Sequence, residues 1–221
     1  MDFQNEIDDY LKQNISALVD DLPIDSRFKL LVDATKSIVS FRDSYYIYKF
    51  QKLIGKISEI EISENIKLSD RLFNGAKAQE NALRIINVID KVDTDLKIDY
   101  MKNAIRAYLL QLIDEKTFFR MLKIIGDVLN EDLEFLRDNV QNKEIVWSTE
   151  VQALERNGLL LQFTFDSAKS VEEQKYVITS FGYELDKNVL SLLDDERQKW
   201  YKNNPTRVTT PPKVPQYWNK R

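Results

Sequence analysis

The residues of this chain that could do chemistry are carboxylates, lysines, tyrosines, serines and threonines, because the sequence has no histidine and no cysteine. The usual ligand sets for zinc, copper and iron, the thiolate nucleophiles and the commonest general bases are therefore missing. None of the remaining side chains stands in a recognisable catalytic motif. The sequence predicts a protein that is not an enzyme, with no catalytic residue, no cofactor and no resident metal.

One group of acidic residues has the chemistry that calcium or magnesium requires. It consists of Asp90, Asp93, Asp95 and Asp99. A calcium loop of the EF-hand type needs Gly at its sixth position and Glu at its twelfth. Counted from Asp90, those positions hold Asp95 and Met101. We therefore interpret the group as helix capping, with Asp93 or Asp95 as the N-cap of the following helix.

An aromatic cluster is a second candidate for a binding surface. Phe41, Tyr45, Tyr46, Tyr48 and Phe50 lie close together in the sequence, and aromatic rings can stack on nucleic-acid bases. At these spacings, however, the side chains surround much of a helix. We interpret the cluster mainly as helix packing, with some of its members left partly exposed.

The most distinctive surface feature is the C-terminal end. From Arg197 onward there are 7 basic residues and no acidic one, whereas the rest of the chain has 25 basic and 36 acidic residues. Aromatic residues beside cations suit an anionic partner, and 4 of the 5 prolines lie at or beyond Pro205, which favours extended backbone. The residues predicted to bind a partner are Trp200, Tyr201, Arg207, Lys213, Tyr217, Trp218, Lys220 and Arg221.

The opposite charges of the body and the C-terminal end predict that the two attract each other. We expect the tail to dock on an acidic surface, either in its own chain or across a homodimer. Deletion of residues 203–221 should then change the oligomeric state or the thermal stability.

The elements that position these residues are predicted to be mainly helical. Hydrophobic residues make up 43% of the chain, charged residues 31%, and there are only 5 glycines, a composition typical of a helix-rich globular protein. Apolar periodicity predicts a connection at residues 58–65. The predicted helices cover residues 2–19, 23–38, 41–57, 68–89 with a break near Asn74-Gly75, 96–113, 114–129 and 131–139.

After Lys143 the pattern changes. A short helix over Trp147–Arg156 ends at Asn157-Gly158, a typical helix stop. Two strands follow, at residues 159–165 and 176–180, and a helix resumes after the second. This order of helix, stop, strand, loop, strand and helix is that of a winged-helix module.

The predicted fold class is mainly α. We expect an N-terminal helical domain at residues 1–143, a small winged-helix-like α+β module at residues 144–200, and an extended, proline-rich basic tail at residues 201–221. No apolar run approaches the roughly 18 residues that a membrane span needs, and the first residues do not form a secretory signal. We therefore expect a cytoplasmic protein without a membrane span.

Residues 35–140 resemble a widespread group of helical proteins from bacterial and prophage genomes. The resemblance lies in Ser40-Phe41-Arg42-Asp43-Ser44-Tyr45-Tyr46 leading into Lys49-Phe50, in Asp90-Lys91-Val92-Asp93, and in Asp132-Leu133-Glu134-Phe135-Leu136. It covers nearly half of the chain and has no catalytic motif to carry over. It implies a setting in phage–host conflict, as a defence, immunity or counter-defence factor.

The C-terminal segment is similar to the last part of many winged-helix domains, which also occurs in abortive-infection-like proteins of mobile elements. The similarity rests on residues 154–160 and 176–185, and it concerns fold more than function. Winged helices often bind DNA, but residues 130–158 carry 7 acidic and 3 basic side chains, which would repel phosphate. We therefore expect recognition of another protein, with nucleic-acid binding by the tail and the winged-helix-like module as the alternative.

Overall fold

The computed structural model of the chain describes residue 31 and residues 44–64, 66, 68–73, 75–163, 170 and 173–205. The predicted helix at residues 2–19 lies outside these ranges. So does the predicted second helix, except for Leu31. Most of the predicted tail, from residue 206 onward, also lies outside the described residues.

The described residues are mainly helical, with a small three-stranded antiparallel sheet, as the sequence predicts for the fold class. The chain divides into two compact units, Met1–Gly126 and Asp127–Arg221. The predicted domain ranges 1–143, 144–200 and 201–221 stay a prediction. The elements are α1 (Ser44–Glu64), α2 (Leu68–Leu72), α3 (Ala78–Lys91), α4 (Asp95–Leu109), α5 (Glu115–Asp127), α6 (Asn130–Asn139), β1 (Ile145–Val146), α7 (Thr149–Arg156), β2 (Leu160–Gln162), β3 (Lys175–Ile178), α8 (Ser180–Leu185), a π-helical segment (Asp186–Leu190) and α9 (Asp195–Asn203).

In the first unit, α1 packs against α4 and α3, and α2 packs against α3. A buried lysine holds the end of α3: the Lys49 Nζ donates hydrogen bonds to the backbone oxygens of Asp90 (3.1 Å) and Val92 (2.8 Å). A cation near the C-terminus of a helix is favourable because the last carbonyl groups have no partner within the helix. The core side chains of this unit include Leu53, Ile57, Ile85, Ile86, Ile98, Met101, Phe118 and Leu122.

Two helix boundaries differ from the sequence-based prediction. The predicted connection at residues 58–65 is wrong, because α1 continues to Glu64. This stretch has no Gly or Pro to break the helix, and the burial of Ile60 keeps it packed on the unit. The predicted helix at residues 96–113 ends earlier, at Leu109, and the chain turns at Gln111, whose φ is 58°.

The caps of these helices follow the capping rules, with one correction. The predicted cap at Asp93 or Asp95 is wrong: Thr94 is the N-cap of α4, and its hydroxyl accepts from the Lys97 backbone N–H at 3.3 Å. The predicted cap at Asp114 is confirmed, because its Oδ1 accepts from the Thr117 N–H at 2.7 Å. The predicted break near Asn74-Gly75 is also confirmed, by the gap between α2 and α3.

In the second unit, β3 is the central strand of the sheet, and the strand order is β1-β3-β2. Helix α7 packs against β2 and α6, and α8 packs against β3. The predicted order of helix, Asn157-Gly158 stop, two strands and helix is confirmed, and Gly158 has the positive φ of 73° that such a stop requires. The helix begins at Thr149 and not at Trp147, the second strand ends at Ile178, and residues 164–165 of the predicted first strand lie outside the described residues. Strand β1 was not predicted, because two residues are too short to show a period.

A close backbone contact joins α8 to the start of β2. An ideal Cβ on Gly182 would lie 2.5 Å from the Leu159 carbonyl oxygen and 2.8 Å from the Ile178 Cγ2 atom. The N-cap Thr179 holds the same turn: its hydroxyl accepts from the Gly182 N–H and donates to the Gly158 carbonyl oxygen. Only glycine fits at position 182 without moving the strand or the helix.

The surroundings of Gly182 and of Gly55 predict opposite effects when each glycine is changed to alanine. Gly182→Ala should destabilise the protein by about 1–3 kcal/mol, since the added methyl group meets a backbone carbonyl. Gly55→Ala, inside α1 and with open space around the added methyl group, should stabilise it by up to about 1 kcal/mol through helix propensity. Urea unfolding of both variants measures this, and a Gly182→Ala variant as stable as the wild type would contradict the described packing.

Candidate functional site

The structure describes two of the eight residues predicted to bind a partner, Trp200 and Tyr201, which are neighbours in α9. Tyr201 is buried, and its hydroxyl donates to the Asp186 Oδ2 at 2.7 Å. Trp200 is half-buried and stacks against Tyr183, with 6.5 Å between the ring centroids. The other six residues lie outside the described residues: Arg207, Lys213, Tyr217, Trp218, Lys220 and Arg221.

The contacts of Tyr201 belong to a buried polar network that fixes α9 on the second unit. The Asp186 carboxylate is fully buried and accepts from the Ser191 hydroxyl as well as from Tyr201, at 2.8 and 2.7 Å. The Gln198 Nε2 donates to the backbone oxygens of Lys187 and Ser191. These bonds attach α9 to the π-helical segment, so the point from which the tail departs has a defined position on this unit.

Burial dominates the electrostatics of this network. It raises the pKa of Asp186 above its ordinary value, although the hydrogen bonds from Tyr201 and Ser191 and the charge of Arg197 act in the opposite direction. Burial and the neighbouring Asp186 carboxylate also raise the pKa of the Tyr201 hydroxyl, which therefore stays a donor.

The sheet of the second unit presents an apolar face to solvent. Along each strand the side chains alternate between two faces, and the register pairs Val146 with Lys175 and Leu161 with Val177. Phe163 continues β2 on the same face, because its N–H donates to the Lys175 carbonyl oxygen at 2.7 Å. We call these five residues the outer sheet face: Val146, Leu161, Phe163, Lys175 and Val177.

The outer sheet face is exposed to solvent and yet apolar, whereas the solvent-facing side of a sheet is normally polar. The exposed fractions are 65% for Val146, 37% for Leu161 and 36% for Phe163. The opposite face is packed, with Ile145, Leu160, Tyr176 and Ile178 buried. An antiparallel sheet with one solvated face usually carries polar side chains there, and clustered exposed apolar side chains mark an interaction surface.

Sequence reasoning missed the outer sheet face, although a signal was present. Residues 159–163 are Leu, Leu, Leu, Gln and Phe, an apolar run in which the usual alternation with polar residues is almost absent. Such a run is typical of a strand that is buried on both faces. In a three-stranded sheet it also fits a strand that leaves apolar side chains on its exposed face.

The second unit is acidic. Its described residues at and after Asp127 include 14 acidic and 8 basic side chains. On the outer sheet face the cation of Lys175 is paired with Glu144, at 2.5 Å. The side chain of Ser148 holds the pKa of Glu150, at the start of α7, below its ordinary value by hydrogen bonding. The net charge of the described part of the unit therefore favours a cationic ligand.

Three of the four aspartates near α4 pair with lysines through their side chains, and the fourth, Asp90, accepts from Lys49 through its backbone oxygen. Two lysines of α1 contact aspartates of α4: Lys52 contacts Asp95 at 2.6 Å, and Lys56 contacts Asp99. The hydrogen bond from Lys52 holds the pKa of Asp95 below its ordinary value. Asp93 pairs with the buried Lys97 at 3.0 Å. Within the ranges that the structure describes, no three acidic side chains converge in an arrangement that could hold a metal ion.

The aromatic cluster of α1 is divided between core and surface. Tyr46 and Phe50 are buried, whereas Tyr48 is exposed and donates a hydrogen bond to the Asp95 carboxylate at 3.2 Å. Phe41 and the side chain of Tyr45 lie outside the described residues. The described members thus serve helix packing and the contact between α1 and α4.

Comparisons of the chain with family models, with curated proteins and with solved structures find no significant match. The resemblances described above therefore rest on the residues alone. Among the described residues, no helix combines the length and apolar character that crossing a membrane would require.

The buried Asp186 predicts a pH-dependent stability difference. Folding raises the pKa of Asp186. Its contribution to the free energy of unfolding is therefore fully present below its pKa in the unfolded chain, and it is lost as the pH rises through its pKa in the folded protein. Asp186→Asn removes this titration and keeps one acceptor oxygen, so the variant should gain stability relative to the wild type between about pH 4 and pH 7. Urea unfolding at both pH values gives the difference.

A second substitution separates the charge from the hydrogen bond. Tyr201→Phe should cost about 1.5–3 kcal/mol at neutral pH, because it removes a donor to a buried carboxylate. Two results together would refute the described network. They are a stability difference between Asp186→Asn and the wild type that does not change with pH, and a Tyr201→Phe variant that is as stable as the wild type.

Proposed function

We propose that this protein acts by binding another protein, with the outer sheet face as the contact surface and without catalysing a reaction. The observation that carries the proposal is the exposure of Val146, Leu161 and Phe163 on one face of a sheet whose other face buries Ile145, Leu160, Tyr176 and Ile178. Leaving clustered apolar side chains in water costs about 25 cal/mol per Å² relative to covering them. A partner that covers them recovers that free energy.

The charge of the unit defines the partner's chemistry. With 14 acidic and 8 basic side chains in its described part, the unit should select a segment that is both apolar and cationic. Within the part of the chain that the structure describes, the sheet also offers two edge strands, β1 and β2, on either side of β3. An extended protein segment that lies across the face or along an edge fits this surface better than a rigid globular partner.

The winged-helix-like identity of the second unit is part of this proposal. It is supported by the order α7, β2, β3 and α8, and by a short strand β1 that completes a three-stranded sheet. In winged helices that bind DNA, a helix enters the major groove. Here α7 carries Glu150 and Glu155 against one Arg156, which supports a protein-binding version of the module. The phage–host setting and the cytoplasmic location stay predictions.

Nucleic-acid binding stays the second candidate because of the C-terminal sequence. Residues 206–221 carry four cations, no acidic residue, and Tyr217 and Trp218, a combination that suits single-stranded nucleic acid. Filter binding of the full chain to single-stranded DNA at low and high salt tests this candidate. Phosphate contacts would give an affinity that falls steeply as the salt concentration rises.

Affinity capture with surface variants tests the proposed function. The full chain, a Val146→Ser/Phe163→Ser variant and a Leu193→Ser control are used to capture proteins from a host extract. Leu193 is 63% exposed in the same unit but lies outside the sheet. We expect a protein that binds the wild type and the control but not the double variant.

The captured protein is then purified, and its binding is measured calorimetrically. Burial of the apolar face predicts a negative heat-capacity change, reduced in the double variant. Capture that is equal for all three chains would contradict the proposal, as would steeply salt-dependent DNA binding with no face-dependent protein partner.

A further inference from the structure

We propose that residues 206–221 of the same chain occupy the outer sheet face and compete there with the external partner. The inference rests on the proposed function for the role of that face, and it adds an internal ligand that regulates access to it. The C-terminal segment is thus an autoinhibitory segment as well as a candidate binding element.

The first support is chemical complementarity. The described part of the second unit has an excess of six acidic side chains, whereas residues 206–221 contain four basic residues and no acidic one. The same segment supplies apolar groups for the exposed face: Val208, Val214, Tyr217 and Trp218. It is therefore both cationic and apolar, which is the ligand chemistry that the face and its surroundings favour.

The second support is backbone chemistry. Pro211, Pro212 and Pro215 lie within the segment, and proline favours an extended backbone that loses little conformational entropy on binding. Extended proline-containing segments bind to apolar and aromatic surfaces through alternate side chains. Proline also lacks an N–H, so the segment is a poor fourth strand of the sheet. We expect it to lie across the face through its side chains.

The third support is the place from which the segment departs. Two residues separate it from α9, and α9 is attached to the unit by Tyr201 bonding to Asp186 and by Gln198 bonding to two backbone oxygens. Sixteen residues reach about 50 Å when extended at about 3.1 Å per residue. A unit of this size has a radius of gyration of only about 12 Å, so the segment is long enough to reach the sheet.

The fixed departure point also determines the strength of the competition. A short tether keeps the segment at an effective concentration of about millimolar near the face. An intrinsically weak contact is then populated within the chain, and an external partner of higher affinity can still displace it. This arrangement would tune the affinity for the partner without any change in the fold.

Cysteine cross-linking tests the inference directly, because the natural chain has no cysteine. The full chain is prepared as a Val146→Cys/Tyr217→Cys variant and as a Leu193→Cys/Tyr217→Cys control, and disulfide formation is followed under mild oxidation at low protein concentration. Val146 and Leu193 are similarly exposed, at 65% and 63%, so undirected collisions of the tether should cross-link both pairs at similar rates. Docking should make the Val146 pair form its intramolecular disulfide at least about tenfold faster.

A second experiment removes positive charges from the C-terminal segment. Arg207→Gln/Lys213→Gln/Lys220→Gln, introduced into the Val146→Cys/Tyr217→Cys chain, should slow the cross-link several-fold and strengthen capture of the external partner. Equal rates for the two cysteine pairs would overturn the inference, and so would a disulfide that forms only between two chains. Failure of the cross-link with successful face-dependent capture would reject autoinhibition alone. A fast cross-link without any captured partner would reject the proposed function and retain the internal docking.

Discussion

The alternation of side chains along β3 is the constraint on which the candidate surface depends. Tyr176 and Ile178 point into the packed side of the second unit, so Lys175 and Val177 must point to the other side. The register then places Val146 on one side of β3, and Leu161 and Phe163 on the other. A shift of one residue would bury Lys175 and expose Tyr176, at a large cost in free energy. The core of the unit therefore dictates which apolar side chains remain outside.

The buried polar network has a different role from the core. A fully buried carboxylate costs free energy unless it is hydrogen-bonded, and Asp186 has both Tyr201 and Ser191 as donors. Such a network does little for net stability, but it specifies one position for the element that supplies the donor. Here that element is α9. The position of α9 in turn fixes where the basic C-terminal segment starts.

Sequence reasoning was successful where local chemistry decides the structure. The Asp114 cap, the break at Gly75 and the stop at Asn157-Gly158 are local features of side chain and backbone, and the structure confirms all three. The cap at Thr94 was missed because Asp93, Thr94 and Asp95 are all good N-caps. The contacts of Lys52 with Asp95 and of Lys56 with Asp99 depend on the tertiary packing of α1 on α4, whereas Lys97 and Asp93 are four residues apart and pair locally.

The candidate site was harder to predict, for a physical reason. Tyr201 and Trp200 look alike in the sequence, as aromatic residues among cations, yet only the position of Asp186 makes Tyr201 a buried donor. The outer sheet face depends on the register between residues 145–146, 160–163 and 175–178. The apolar run at residues 159–163 indicates a strand, but it does not show which of its side chains stay exposed or that β1 joins the sheet. Charge could be counted from the sequence alone, which showed the acidic excess of residues 130–158.

The central claim is that a protein ligand covers the outer sheet face. Hydroxyl-radical footprinting of a chain with Arg207, Lys213, Lys220 and Arg221 changed to Gln, before and after partner binding, tests it most directly. The account predicts that Phe163 and Leu161 become several-fold less reactive when the partner binds, while Leu193 and Leu112 keep their reactivity. Unchanged reactivity of Phe163 and Leu161 in the complex would show that the partner binds elsewhere and would contradict the account.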